Sequence, residues 1–247
     1  RFEGPLVALT GSSGKTTVKE MLAAILREIT EGAVLATRGN LNNEIGVPLT
    51  LLELREQHRC AVIELGMNHA GEIRALIAQV RPEIAIVTTV APAHLANFGS
   101  VEKIADAKAE IFEGLTANRL AIVPAENSQT ERLIQRARAV GVASIQTFGA
   151  KPGSDAQLLD MQSSAGRQVV SARIGGKELR FGIAADGTHI AHNALAALLA
   201  VRALGLDVEI AAPALEEFSA LGGRGARFSA GGVEVIDESY NANPASM

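Results

Sequence analysis

The stretch Val7-Ala8-Leu9-Thr10-Gly11-Ser12-Ser13-Gly14-Lys15-Thr16-Thr17 is an apolar run that ends in a glycine-rich turn carrying a lysine and several hydroxyls. Met21, Leu22, Ile25 and Leu26 follow at helical spacing, so strand, glycine loop and helix are expected in that order. Such an order makes a device for holding phosphate. Backbone N–H groups turn inward, and the helix N-terminus adds partial positive charge. Lys15 can reach the β- and γ-phosphates of a nucleoside triphosphate, and Thr16 offers a hydroxyl to Mg²⁺. The general motif has a further glycine where Leu9 stands, leaving a compact Gly11-x-x-Gly14-Lys15-Thr16-Thr17. A plainer alternative is a Gly/Ser turn with Lys15 merely solvated. Both glycines, the lysine and the threonine nevertheless sit where phosphate binding requires them, which predicts a nucleoside-triphosphate site.

With 247 residues the chain suffices for one large α/β domain, or one and a piece of another. Hydrophobic residues at 47% and charged residues at 20% supply ample core material. Aromatics make up only 3%, so Ala, Leu, Ile and Val must build that core. A net charge of −4 gives no electrostatic case for nucleic acid or an anionic membrane. Cys60 is the only cysteine and lies in an apolar run, which suits a buried thiol and excludes a disulfide within the chain. No segment approaches the length of a membrane span and no signal peptide precedes the first strand, so a soluble cytoplasmic protein is expected. The chain lacks an initiator Met, and it stops at Asn243-Pro244-Ala245-Ser246-Met247 just as a new element opens. A fragment of something longer is expected.

Further along, residues 33–37 read as a short strand and 38–44 as a polar loop. A helix is expected over 45–54, with Pro48 suited to its first turn. Residues 60–65 resemble a buried parallel strand closed by Glu64 and Gly66. Helices over 72–79, 101–115 and 131–140 alternate with strands over 84–90, 120–124 and 143–149. Alternation in residues 168–174, the Gly175-Gly176 turn and the return at 179–181 make a small antiparallel excursion near 155–183. An Ala/Leu-rich buried helix is expected over 193–204, and a last strand over 233–236 ending at Asp237. The expected fold is α/β: a mostly parallel sheet containing the phosphate loop, covered by helices on both faces.

Ligands of open α/β sheets bind beyond the carboxyl ends of the strands. The residues found there are Gly11 to Thr17, then Glu64, then Thr88, Thr89 and His94, then Asp237. An ionised Glu64 ending an apolar strand is costly unless paired or on a metal, and a Mg²⁺ beside the triphosphate is the preferred partner over a structural ion pair. His94 alone is a weak signal, and Lys108 read from its surroundings is only a helix lysine.

The loop Thr10-Gly11-Ser12-Ser13-Gly14-Lys15-Thr16-Thr17 is similar to the ATP loop of the Mur ligases, the ATP-dependent amide-forming enzymes of peptidoglycan precursor synthesis. Residues 39–48, Glu64-Leu65-Gly66-Met67-Asn68, Ala93-His94-Leu95 with Ala107-Lys108-Ala109-Glu110-Ile111, and Asp237 to Pro244 narrow the resemblance. They match the member that joins D-Ala-D-Ala to UDP-N-acetylmuramoyl-tripeptide through an acyl phosphate.

The resemblance implies that Gly11, Ser12, Ser13, Gly14, Lys15, Thr16 and Thr17 hold the ATP phosphates. Thr16 and Glu64 would serve one Mg²⁺, while His94 would help bind a second. Lys108 matches a lysine that several members carry as a carbamate, which would make it an anionic metal ligand. Lys15, Glu64, His94 and Lys108 are thus the implied catalytic set. Asn193 matches an asparagine at the nucleotide base, Arg224 an arginine near phosphate, and Asp237 the ribose-binding acid. Asn42 and Asn43 would line the UDP-muramoyl-peptide site. Where the family often shows His-Asn-x-x-Asn-Ala, this chain has His189-Ile190-Ala191-His192-Asn193-Ala194, so one nucleotide hydrogen bond is lost or passes to His192.

By the same resemblance, residues 1–232 form the central ATP-binding domain and 233–247 a last strand and hinge. A UDP-gripping N-terminal domain and a closing C-terminal domain would lie outside the chain, which alone would bind nucleotide weakly and ligate poorly or not at all. A monomer is expected, with no nucleic-acid or membrane partner. Two alternatives stay open: a folylpolyglutamate synthetase-like ligase, against which residues 40–48 argue, and a nucleotide-binding module without ligation.

Overall fold

The computed structural model describes residues 2–93, 95–219, 222–223, 226–237 and 239. His94 and Arg224 lie outside them, as do residues 240–247 of the expected hinge.

Strand β1 (Leu6–Thr10) runs into the glycine loop and helix α1 (Lys15–Ile29). Next come β2 (Val34–Ala36), α2 (Gly46–Leu52), β3 (Cys60–Glu64), α3 (Glu72–Val80) and β4 (Ile84–Val87). The short α4 (Leu95–Phe98) and α5 (Val101–Ala109) lead to β5 (Leu120–Pro124), α6 (Thr130–Ala139) and β6 (Ser144–Gly149). A meander of β7 (Ala156–Ser164), β8 (Arg167–Ile174) and β9 (Lys177–Ile183) precedes α7 (Thr188–Ala203) and the short α8 (Val208–Ala211). Among the described residues, nine strands form one sheet in the order β2-β3-β1-β4-β5-β6-β7-β8-β9. Pairing is parallel from β2 through β7 and antiparallel from β7 to β9. The expected antiparallel excursion therefore extends the large sheet. From β1 the chain winds first to one side and later to the other, so the winding reverses at the strand that carries the glycine loop.

Both faces of the inner strands are buried. Val7, Leu9, Cys60, Val62, Ile84, Ile86 and Ile122 meet α1 and α7 on one face. Ala8, Ile63, Ala85, Val87, Ala121 and Val123 meet α3, α5 and α6 on the other. This double burial is why these strands read as continuous apolar runs. Burial also pushes the Cys60 thiol up to about 11, so it is inert at neutral pH.

Several boundaries differ from the sequence reading. The strand expected over 84–90 stops at Val87 because the following residues turn to bond the glycine loop. The helix expected over 101–115 ends at Ala109 and tightens into a 3₁₀ turn, Glu110–Gly114. The helix expected from 193 starts at Thr188, so Asn193 lies inside it. The expected last strand exists as β11 (Val233–Asp237), but it pairs only with β10 (Ala226–Ala230) in a separate two-stranded sheet. The large sheet therefore does not deliver Asp237 to its carboxyl edge. Gly231 and Gly232, at φ +58° and +80°, form the turn between these strands, and the boundary expected at 232/233 falls inside this hairpin.

Helix α3 starts at Glu72 behind the N-cap Gly71, which has no side chain to cap it; the Glu110 carboxylate, far along the chain, takes that role. Glu110 oxygens accept from Gly71 N at 2.8 and 3.1 Å and from Arg74 N at 3.0 Å. Neighbouring Glu113 binds Arg74 at the surface, at 2.6 and 2.7 Å. Glu110→Ala removes the acceptor of part-buried N–H groups at the start of α3 and is expected to lower stability by roughly 0.5–2 kcal/mol, the range for loss of a helix cap. Glu113→Ala removes an exposed ion pair and should cost under about 1 kcal/mol. Thermal or urea unfolding of the two variants checks the order.

Candidate functional site

Gly14 ends the loop at φ +79° and is the N-cap of α1, with no side chain capping the helix. First-turn N–H groups have no partner within a helix, so an uncapped start suits an anion. Lys15 folds back over the loop, its Nζ donating to Gly11 O at 2.9 Å. Thr16 is half-buried in the first turn and Thr17 is buried.

The loop is braced from the β4 side. Ser12 N donates to Thr89 O at 2.9 Å, and Ser12 Oγ exchanges hydrogen bonds with Ala91 O and Ala91 N at 3.1 and 3.0 Å. Thr88 Oγ1 donates to Ser13 O at 2.6 Å. Only glycine fits at position 11, since a Cβ there would stand 1.9 Å from Thr88 Oγ1. Gly14 is constrained similarly, with Asn193 Oδ1 2.6 Å from where its Cβ would be. Asn193 of α7 thus lies against the end of the loop.

Glu64 closes β3 opposite Leu9, and Leu65 N donates to Leu9 O at 2.8 Å. Two-residue periodicity after Cys60 and Val62 puts its side chain on the α1 face of the sheet. It is 1% exposed. Oε1 accepts from Asn42 Nδ2 at 2.8 Å, while Oε2 is buried without a hydrogen-bond partner. Asn43 takes a different position, its Oδ1 accepting from Gly46 N at 2.9 Å at the start of α2.

From the opposite face of the sheet, α5 brings in Lys108, which is buried. Burial, and then the charge of Lys15, hold its pKa well below the usual lysine range. The two amines therefore sense one another across the strand ends. Asp237 accepts from Gly223 N at 2.9 Å and from Ser239 N and Oγ at 3.0 and 2.6 Å. Ser239 and Gly223 lower its pKa. Ile190 is 4% exposed, in the core beneath α7. Next to Asn193, His192 is partly buried, Nε2 lies 3.9 Å from Glu126 Oε2, and burial lowers its pKa.

Lys15 and Asn193 thus contact the loop, Glu64 ends the strand paired with β1, and Lys108 senses the charge of Lys15, while Asp237 belongs to a hairpin that is not part of the large sheet. Sequence reasoning missed Lys19, Thr37 and the bracing role of Thr88. Lys19 carried a faint signal: Leu22, Ala23 and Leu26 share its helix face. An orphaned anionic oxygen beside a phosphate-type loop fits a hard divalent cation. Among the described residues no group of three His, Cys, Asp or Glu forms a cage.

The profile of the Mur ligase middle domain matches residues 9–201. A UDP-N-acetylmuramoyl-tripeptide–D-alanyl-D-alanine ligase of Haemophilus influenzae is 40% identical over 244 residues, 98% of this chain and 52% of that protein. MurF from Acinetobacter baumannii matches in structure with a TM-score of 0.91 at 36% identity, over 98% of this chain and 52% of that one. MurF from Thermotoga maritima in complex with ADP gives 0.85 at 28% identity, over 99% and 55%. The chain spans about half the length of the curated relatives it matches.

Gly14→Ala forces a side chain into left-handed backbone, costing about 1–2 kcal/mol, and also drives it into Asn193. Gly32, at φ +86° with nothing near its Cβ position, carries the backbone cost alone. Thermal unfolding should rank Gly14→Ala below Gly32→Ala.

Proposed function

The chain belongs to the Mur ligase family through its middle domain, and on that footing we propose that it is the ATP-binding part of a D-Ala-D-Ala-adding ligase. The other substrate would be UDP-N-acetylmuramoyl-tripeptide. The activity for which the 40%-identical relative is named supports the substrates. The nucleotide half rests on one observation: a buried carboxylate oxygen without a partner beside an uncapped helix start that carries Lys15.

In this reading a peptide carboxylate attacks the γ-phosphorus of ATP and ADP leaves. The amine of D-Ala-D-Ala then displaces phosphate from the acyl phosphate, leaving an amide and releasing a proton. Positioning and charge neutralisation carry such chemistry. The α1 N–H groups bind phosphate oxygens, and Lys15 Nζ exchanges its carbonyl partner for one. Thr16 and Glu64 would hold Mg²⁺, with His94 at a second ion. Bound there, the metal supplies neutralisation of charge between the attacking carboxylate and the triphosphate. Asn42 orients the Glu64 carboxylate. Asn193, Arg224 and Asp237 would contact the nucleotide, and Asn43 the muramoyl peptide. A net charge of −4 supports leaving nucleic acid out of the reading, and a cytoplasmic monomer completes it.

Calorimetry with an ATP analogue tests the nucleotide half. Lys15→Ala should weaken binding roughly 10- to 100-fold, the worth of a charge-assisted hydrogen bond. For the reaction, phosphate release by this chain alone with both substrates should be slight or nil, whereas in a full-length ligase carrying it ADP formation should require both the muramoyl tripeptide and D-Ala-D-Ala. Indifference to both overturns the proposal, and dependence on a folate instead favours the rival ligase.

Lys108 adds a further expectation. Its lowered pKa favours the neutral amine, the form whose nitrogen attacks CO₂, giving a carbamate and releasing one proton. Isotope-labelled bicarbonate should give a carbamate signal that grows with rising pH and fades on acidification. Lys108→Arg should abolish it.

A further inference from the structure

Lys19 has the largest fully buried side chain among the described residues, at 0% exposure. Taking an ammonium out of water costs several kcal/mol unless its donors are answered. All three are: Nζ donates to Thr37 O at 2.7 Å and to Gly39 O at 3.4 Å, and pairs with Glu20 Oε1 at 2.8 Å. Packing alone does not call for a cation here, because Leu22, Ala23 and Leu26 around it are apolar. What the ammonium adds is a grip on the backbone of residues 37–39.

That segment holds Glu64. Thr37 N donates to Val62 O at 3.0 Å, and Thr37 Oγ1 accepts from Glu64 N at 2.9 Å. A few residues on, Asn42 donates to Glu64 Oε1 at 2.8 Å and accepts from Gly66 N at 2.8 Å through its carbonyl. Glu64 is thus clasped at its backbone by Thr37 and at its side chain by Asn42. Lys19 ties the clasp to α1, the helix that begins at the glycine loop.

We infer that Lys19 is a positioning residue which couples the phosphate-binding helix to the 37–42 segment, so that the free oxygen of Glu64 faces the loop in register to receive a nucleotide-bound divalent cation. This rests on the nucleotide reading above. The Lys19 ammonium touches neither nucleotide nor metal and acts through Thr37 and Asn42.

The test compares ADP binding with Mg²⁺ and with a chelator, by calorimetry on the unsubstituted protein, Lys19→Met, Asn42→Ala and the double variant. Lys19→Met keeps the apolar stem and removes the ammonium. It should weaken the Mg²⁺-dependent part of binding about tenfold, as loss of an outer-shell partner does, and leave binding in chelator within about twofold. The double variant should be no worse than the weaker single one, because both changes release the same clasp. Amide exchange at Glu64 and Gly66 should speed up in Lys19→Met. A Lys19→Met protein that loses thermal stability but keeps its Mg²⁺ dependence overturns the inference, as does equal loss in both conditions. If that variant does not fold, Lys19→Gln, which retains two N–H donors, takes its place; failure of both makes Lys19 a stability residue and also overturns it. No ADP binding by the unsubstituted protein sinks the nucleotide reading and this inference together. Binding with unaltered Mg²⁺ dependence in the variant sinks only the inference.

Discussion

Glu64 sits at the end of an apolar strand, with one oxygen bonded to Asn42 and the other bonded to nothing. A carboxylate so placed is tolerated only where something answers it. The surroundings are arranged around that requirement. Thr37 takes its backbone N–H, Asn42 takes one oxygen, and Lys19 ties Thr37 and Gly39, in the segment that leads to Asn42, to α1. By strand periodicity the side chain lies on the α1 face of the sheet. Removing any member of this set leaves a buried polar group unpaired, which costs more than the bond itself contributes.

The loop depends on its neighbours as much as on its own residues. Ser12 and Ser13 are pinned to the segment after β4, and position 11 admits only glycine because Thr88 presses against it. Asn193 closes the other side against Gly14. A parallel sheet with two covered faces makes this possible, since every strand points its carboxyl end the same way. Alanines and branched aliphatic residues make up most of both cores, with Phe148, Phe181 and Phe218 on one side and Phe98 and Phe112 on the other.

Lys108 and Lys15 illustrate how charge is handled there. Two cations approach one another in a buried space, and the more enclosed one is driven towards its neutral form. Like charges in a desolvated site are unfavourable.

Much of the fold was legible in the chain itself. Apolar runs alternating with helical periodicity specified a mostly parallel sheet, and the glycine loop after the first run marked the end of it proposed to hold the nucleotide. Glu64 stood out because a charge ending an apolar strand is expensive. Other features came only from tertiary contacts. Helix α7 starts before Asn193 because Ile190 is pulled into the core, and β11 pairs with β10 through a Gly231-Gly232 turn whose partner strand carries little hydrophobic pattern. Lys19 reads as an ordinary helix cation until the fold brings Thr37 and Gly39 to its ammonium. Local pattern reports which face of an element is apolar; which distant carbonyl answers a buried charge is decided only when non-adjacent strands and helices meet.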